Sequence, residues 1–368
     1  MKSVLIGNGI DIQYGGKDYL NGSIIKRGLK KISIEDIPVQ LYNKEIGLWL
    51  EHLYDELEGI VTRGYDTDIR AEYEKYTLNE IKKRYRNWKK VKIHDVGIED
   101  YIFIHNLLCR KLGIENPEQN DYREFLKRFF IDAIYNVGKI NTIYLNFPES
   151  LKVFLNEYDE IFTTNYDKNL EIFLDKKINY LHGAFHILAE VYNPESFRNK
   201  MPDNPLSKCD KIEGHDHIYS NALMTFSGDD KMFSMEMYKN ANQTLNKIEE
   251  GLKNNLELAV EVESWKDYKN KSVANMYEAV HLKRRDGSLS FNEYYPVDKF
   301  KNITGTIDIL GLSSNNDNHL FNIINNNEKI TNVRYYFFSK DEGNSARKIF
   351  KNKIVETLPV KGLWGNLR

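Results

Sequence analysis

Cysteine is scarce in this sequence, which has two cysteines in 368 residues, Cys109 and Cys209, and no Cys-x-x-Cys pair. Two cysteines so far apart exclude a disulfide framework and a four-cysteine zinc site. Isolated cysteines of this kind are most often free thiols in a reducing compartment. The cysteine content therefore predicts a cytoplasmic protein without structural zinc.

Long apolar runs are missing as well. No run approaches the roughly 20 residues of a membrane-spanning helix. The apolar run within residues 1–6 is too short for the core of a secretory signal, and it continues directly into glycines. We therefore expect a soluble protein that does not bind membranes.

The sequence also lacks an excess of charge of either sign. Lys and Arg number 52 and Asp and Glu number 54, so the net charge is -2, and no global field attracts DNA. The basic stretch 82–90 contains interleaved aromatic residues and could form a local anion or nucleic-acid patch. Because acidic residues precede it, a solvated helix face is favoured. Direct nucleic-acid binding is not indicated.

Apolar and β-branched runs predict the strands of a single sheet. Hydrophobic residues make up 41% of the chain, enough for a substantial core. The predicted strands lie at 3–6, 160–163, 178–181, 303–310 and 333–338. A short amphipathic helix at 167–176 would connect the second strand to the third in a βαβ unit. We therefore expect an α/β fold with a Rossmann-like, largely parallel sheet.

Two insertions interrupt this pattern. Helical spacing of apolar residues predicts a helical insertion after the first strand, at about 40–147. A second insertion at about 190–300 is irregular and helical, and within it 283–287 has the composition of a turn between two short extended segments. We expect residues 1–368 to form one domain.

Glycine-rich turns follow two of the predicted strands. Gly7, Asn8 and Gly9 follow the first strand, and Gly311 begins the turn after 303–310. A strand that ends in such a turn lets backbone N–H groups approach a phosphate closely. A tight turn without a ligand is the alternative. Asp11 could accept hydrogen bonds from ribose hydroxyls or could cap the next helix.

Polar side chains follow the next two strands of the predicted sheet. Asn165 and Asp167 come after 160–163, and His182 comes after 178–181. Ligands of open α/β sheets bind at the carboxyl ends of the strands, which makes these three residues the first candidates for chemistry. Taken singly, the asparagine could be a turn former and the histidine an ordinary loop residue.

A metal site is not predicted. The triplet at 215–217 reads His-Asp-His and could ligate a metal ion, but this i, i+2 spacing has no second cluster of ligands nearby.

Four short motifs, in this order, resemble the sirtuin-like NAD-hydrolysing family of bacterial antiphage defence, in its zinc-free, abortive-infection branch. The motifs are Gly-Asn-Gly-Ile-Asp at 7–11, Phe-Thr-Thr-Asn-Tyr-Asp at 162–167, Tyr-Leu-His-Gly at 180–183, and Leu-Gly-Leu-Ser at 310–313 with Asp317. The resemblance covers the sheet, about half of the chain, and leaves both insertions unmatched.

The resemblance implies roles for individual residues. It implies that Asn165 and His182 are catalytic, with His182 as the base. It also implies that residues of the same motifs bind NAD, with the first glycine turn at the pyrophosphate and Ser313 on the adenosine side. The NAD-binding candidates are Gly7, Asn8, Gly9, Asp11, Thr164, Asp167, Gly311, Ser313 and Asp317. Asp317 could instead be the N-cap of a following helix.

Two departures from the family pattern bear on the reaction. The zinc ribbon of the protein deacylases is impossible with two cysteines, and Asn-Gly-Ile-Asp replaces the usual Ala-Gly-Ile-Ser turn. A deacylase needs a groove for acyl-lysine, whereas an NAD glycohydrolase needs NAD and water. The resemblance therefore implies hydrolysis of NAD to ADP-ribose and nicotinamide, with NAD as substrate and no zinc.

Such an activity would need control, because unrestrained NAD hydrolysis would kill the host cell. We expect a gated effector of antiphage defence, controlled by homo-oligomerisation, by a separate defence subunit or by a nucleotide signal. One alternative is a non-catalytic module that senses NAD or ADP-ribose within a defence complex. A hydride-transferring dehydrogenase is less favoured, because the polar residues at 165–182 suit sugar recognition better.

Overall fold

The computed structural model describes residues 1–34, 37–39, 41–63, 65–115, 118–201, 211–225, 228–268, 271–313 and 317–367. Of the two cysteines, Cys109 is buried and free, and Cys209 lies outside the described residues. None of the helices in the described part of the chain is both long and apolar enough to cross a membrane.

The described residues contain six strands, which form one sheet. The strands are β1 (Lys2–Ile6), β2 (Glu160–Thr163), β3 (Asn179–Tyr180), β4 (Gly305–Leu310), β5 (Ile330–Phe337) and β6 (Ile354–Pro359). All neighbouring strands are parallel, and their order is β3-β2-β1-β4-β5-β6. This is the order of the doubly wound, Rossmann-like sheet. The prediction of an α/β fold with a parallel sheet is confirmed, while β6 has no counterpart among the predicted strands.

Helices connect the strands throughout. Seven described helices lie between β1 and β2: α1 (Gly9–Gly15), α2 (Asn21–Ile34), α3 (Ile46–Thr62), α4 (Glu72–Arg84), α5 (Ile98–Leu112), α6 (Glu118–Tyr135) and α7 (Glu149–Asn156). Helix α8 (Asn169–Leu174) connects β2 to β3. Between β3 and β4 lie α9 (Phe197–Lys200), α10 (Asp229–Leu252), α11 (Leu256–Ser264), α12 (Lys271–Arg285) and α13 (Val297–Lys301). The remaining helices are α14 (Asn318–Asn326), α15 (Lys340–Ile349) and α16 (Val360–Asn366).

The two insertion regions are largely helical in their described parts. Residues 40–147 contain α3 to α6, as the helical spacing predicts. In the second region, the prediction of extended segments around 283–287 is wrong, because α12 continues to Arg285.

Two cores pack against opposite faces of the sheet. Val4 and Ile6 of β1 belong to the larger core, which includes apolar residues of α3, α5 and α6. Leu5, between them, points to the other face and packs with residues of β4 and α14. Successive side chains of a strand alternate between faces, so a strand covered on both sides is apolar at every position. This explains the uninterrupted Val-Leu-Ile run of β1.

Candidate functional site

A cavity of about 600 Å³ lies at the carboxyl ends of β1, β2 and β4. Here the strand order reverses between β1 and β4, which is where doubly wound sheets bind their ligands. The volume is within the range of small-molecule and cofactor sites. All the sequence-predicted site residues except Gly7 line this cavity: Asn8, Gly9, Asp11, Thr164, Asn165, Asp167, His182, Gly311, Ser313 and Asp317.

The two glycine turns pack backbone against backbone. The N–H of Gly9 donates to the carbonyl of Gly311 at 3.0 Å, and the N–H of Gly7 donates to the carbonyl of Leu310 at 2.9 Å. A Cβ atom on Gly9 would lie 2.4 Å from the Cα of Gly311, whose φ of +71° is in the left-handed region. Glycine is therefore required by the contact between the turns themselves. Gly7 lies behind the cavity wall, where an added Cβ would meet the Leu312 side chain at 2.6 Å.

Asn165 connects the turn after β2 to the helix after β1. Its Nδ2 donates to Oδ2 of Asp11 at 2.8 Å, and its backbone N–H donates to Oγ1 of Thr163 at 3.0 Å. The Thr163 hydroxyl donates in turn to the carbonyl of Ile6 at 3.0 Å. Asp11 is a buried residue in the first turn of α1. The Asn165 amide is thus held in one orientation at the floor of the cavity.

Asp11 and Asp167 form a buried carboxyl pair in this floor. Oδ1 of Asp167 accepts from the N–H of Asn169 at 2.9 Å, which holds the start of α8. Oδ2 of Asp167 and Oδ1 of Asp11 are buried and accept no hydrogen bond from an N–H or hydroxyl group of the described residues, while the two carboxyl groups lie close enough to hydrogen-bond to each other. Burial, followed by the neighbouring Asp167 carboxyl, raises the pKa of Asp11 well above its usual value, and burial also raises the pKa of Asp167. Because two close carboxylates repel each other, the buried pair binds a proton more readily than an isolated aspartate does.

His182 lies against a second histidine. Nε2 of His182 is 3.0 Å from Nε2 of His319, and the two rings stack with their centroids 5.1 Å apart. Both side chains are buried. Burial and the Lys231 ammonium lower the pKa of both rings, that of His319 to about 3. Both imidazoles are therefore neutral near pH 7.

A buried ion pair brings the two insertions to the cavity. Lys231 of α10 is 2% exposed and pairs with Glu99 of α5. Burial alone would lower the pKa of Lys231, but the neighbouring groups Glu99, Tyr166 and Asp317 raise it. Burial raises the pKa of Asp317 to about 7, opposed by Lys231. Asp317 occupies the N-cap position of α14, but its side chain makes no capping hydrogen bond.

One candidate metal cluster lies in the described residues at this end of the cavity. Single ligand atoms of His182, Asp317 and His319 lie within 4.8 Å of one another. Two imidazoles and a carboxylate are a donor set that suits a divalent transition metal. The expectation of no metal stays a prediction.

Three residues of the site were missed by sequence reasoning, namely Glu99, Lys231 and His319. His319 follows the second glycine turn at the start of α14, so the argument from strand ends that selected Asn165 and His182 applies to it too. Glu99 and Lys231 resemble ordinary charged residues in the first turns of insertion helices, and no local pattern marks them.

Two further histidines, His186 and His217, and the basic stretch 82–90 lie away from the cavity. His186 is 3.5 Å from a carboxylate oxygen of Glu171 and does not line the cavity. His217 is 3.4 Å from Oδ1 of Asp132 and stacks on Tyr135 at 3.8 Å, within the protein core. In the basic stretch, Lys82, Lys83 and Arg84 each pair with a carboxylate, as a solvated helix face would.

Comparisons with protein-family models, with curated proteins and with solved structures found no match to this chain, so the family resemblance rests on the four sequence motifs alone.

Proposed function

We propose that this chain is an NAD glycohydrolase, which hydrolyses NAD to ADP-ribose and nicotinamide. The observation that carries the proposal is the buried carboxyl pair, Asp11 and Asp167, held beside Asn165 in a cavity at the switch point of a Rossmann-like sheet. The four motifs of the resemblance contribute residues to this one cavity. An apolar ligand would leave the two carboxyl groups without partners, so a polar ligand with several hydroxyl groups is favoured.

The shape and chemistry of the cavity suit a dinucleotide. Gly9, Gly311 and Ser313 line one part of it, where the two turns meet and a pyrophosphate could approach the backbone. The carboxyl groups of Asp11 and Asp167 lie in another part and can accept hydrogen bonds from ribose hydroxyls. The nicotinamide ribose would then lie over the carboxyl pair.

The same residues suit cleavage of the bond between C1′ and the nicotinamide nitrogen. When this bond breaks, its electron pair leaves with nicotinamide, and positive charge develops on the ribose. Negative charge on the carboxyl pair would stabilise that positive charge in a buried site. Asn165 orients the ribose or the attacking water, because its amide is fixed by Asp11 and Thr163. Water adds at C1′ and releases one proton to a base.

We also propose that the enzyme is a gated effector of antiphage defence. The support for gating is the Lys231–Glu99 ion pair, which joins the second insertion to the first at the cavity wall. A shift of either insertion would move a charge within the site. Homo-oligomerisation or a separate defence subunit that contacts the insertions could therefore control hydrolysis. The defence role itself is supported by the motif resemblance.

The proposal is tested by measuring nicotinamide release from NAD by the purified chain, alone and mixed with the products of neighbouring genes. We expect equal amounts of nicotinamide and ADP-ribose in at least one of these mixtures. Calorimetry with NAD runs in parallel. Tight NAD binding without nicotinamide release in any mixture would favour the sensing module, and the absence of both would exclude an NAD-dependent function.

A further inference from the structure

We infer that His319 fixes the tautomer of His182, so that His182 presents an N–H group to the cavity instead of a lone pair. The tautomer follows from the structure alone, whereas its consequence for catalysis rests on the proposed function. His319 would act as a positioning residue, since its own contact is with His182.

The contact between the two rings requires one donor and one acceptor. The Nε2 atoms are 3.0 Å apart, which is a hydrogen-bond distance. A neutral imidazole carries its proton on one nitrogen and a lone pair on the other. A hydrogen bond between the two Nε2 atoms therefore places a proton on one of them and a lone pair on the other.

The second nitrogen of His319 decides which ring donates. Its Nδ1 is buried and has no hydrogen-bond partner in the described structure. If His319 accepted at Nε2, its proton would lie on Nδ1 as a buried N–H without an acceptor. If His319 donates from Nε2, its Nδ1 carries a lone pair that accepts no hydrogen bond. Orphaned buried N–H groups are rarer than under-satisfied acceptors, so His319 is the donor.

His182 then accepts at Nε2 and carries its proton on Nδ1. Nδ1 of His182 makes no hydrogen bond to the described residues, and the side chain lines the cavity, so this N–H is available to a ligand oxygen. In NAD hydrolysis, His182 would donate to a ribose hydroxyl or to the attacking water. The released proton would pass to the carboxyl pair Asp11–Asp167. The base therefore changes from His182 to this pair.

The first test is ¹⁵N NMR of the histidine rings, which identifies the protonated nitrogen without any need for turnover. We expect the proton on Nδ1 of His182 and on Nε2 of His319 in the wild-type protein. His319→Glu replaces the donor by an acceptor and should move the His182 proton to Nε2. A wild-type His182 protonated on Nε2, or a tautomer that a folded His319→Glu protein leaves unchanged, would overturn the inference.

The second test uses NAD hydrolysis. The amide N–H of His182→Asn can replace the Nδ1 donor but cannot act as a base. We expect His182→Asn to lose at most about tenfold in kcat and His182→Ala at least ~10²-fold. An equal loss of kcat in both variants would indicate that His182 acts as a base. Activity that a chelator abolishes and zinc restores would show a metal site and would also contradict the inference.

The proposed function and the inference about His319 can fail independently of each other. If the wild-type chain never hydrolyses NAD while its NMR spectrum shows the expected tautomers, the proposed function fails and the assignment of the His319 donor stands. If hydrolysis occurs with the opposite tautomer, the function stands and the inference fails.

Discussion

Asn165 is held at the cavity floor by hydrogen bonds from both its side chain and its backbone. Its amide binds Asp11 and its backbone binds Thr163. Asn165→Ala should reduce NAD hydrolysis by at least ~10²-fold, the lower end for a positioned group in general acid–base catalysis. The measurement is the steady-state rate of nicotinamide release. The matched control is Asn254→Ala, an exposed asparagine that does not line the cavity. Equal rates for both variants would remove Asn165 from the reaction.

Asp11 should make stability depend on pH. Burial raises its pKa in the folded protein. A carboxyl group of this kind stabilises the folded state at low pH and loses that contribution as pH rises through the folded pKa. Asp11→Asn cannot ionise, so its free energy of unfolding relative to wild type should rise as pH increases above about 4, the usual aspartate pKa. Urea unfolding at several pH values measures this. A difference that stays flat across this pH range would refute the raised pKa of Asp11.

The residues at the strand ends were predictable because parallel strands bring their carboxyl ends to one edge. Asn165, Asp167 and His182 follow β2 and β3 directly, and all three line the cavity. Lys231 was not predictable, because its position depends on how a helix of the second insertion folds back over the sheet. Its partner Glu99 lies 132 positions away in the sequence, on another insertion.

The turns after β1 and β4 act as one structural unit. Gly9→Ala would place a Cβ atom 2.4 Å from the Gly311 Cα, a backbone atom that cannot move cheaply. We expect a loss of about 1–3 kcal/mol in the free energy of unfolding, typical of overpacking. Urea unfolding measures it. Gly287→Ala is the control, because nothing lies within 4 Å of its added Cβ, and it should change stability by less than about 1 kcal/mol. Similar stability of the two variants would contradict the close contact.

The more completely a strand is buried, the more clearly the sequence predicts it. The central strands β1 and β4 are covered on both faces; β1 contains the run Val-Leu-Ile, and β4 has buried isoleucines on either side of Asp308. Strand β6 lies at the sheet edge, is half exposed and ends in Pro359. Its apolar sequence pattern is therefore too weak to predict a strand. Helix α12 contains mixed polar and apolar residues and ends in Lys283, Arg284 and Arg285, which obscured its helical period.

The two insertions also meet away from the cavity, around Asp132 of α6. Its carboxylate contacts Lys31 of α2 at 2.7 Å and His217 of the second insertion at 3.4 Å. Asp132→Ala leaves these groups without their shared acceptor and should cost about 3 kcal/mol, as loss of one partner of a buried ion pair does. Thermal unfolding measures the effect. Asp121→Ala, an exposed position on the same helix, should cost less than about 0.5 kcal/mol. An equally small cost for Asp132→Ala would show that the contacts of Asp132 with Lys31 and His217 contribute little to the free energy of unfolding.

The central claim is that the cavity at the switch point binds NAD, and calorimetry tests it most directly. Thr164→Trp fills part of the cavity from the turn after β2, whereas Thr62→Trp adds the same ring at an exposed position of α3. We predict one NAD per chain for the wild type and for Thr62→Trp. Thr164→Trp should bind at least about tenfold more weakly, a loss of roughly 1.4 kcal/mol. No NAD binding by the wild type, or equal binding by both variants, would contradict the account.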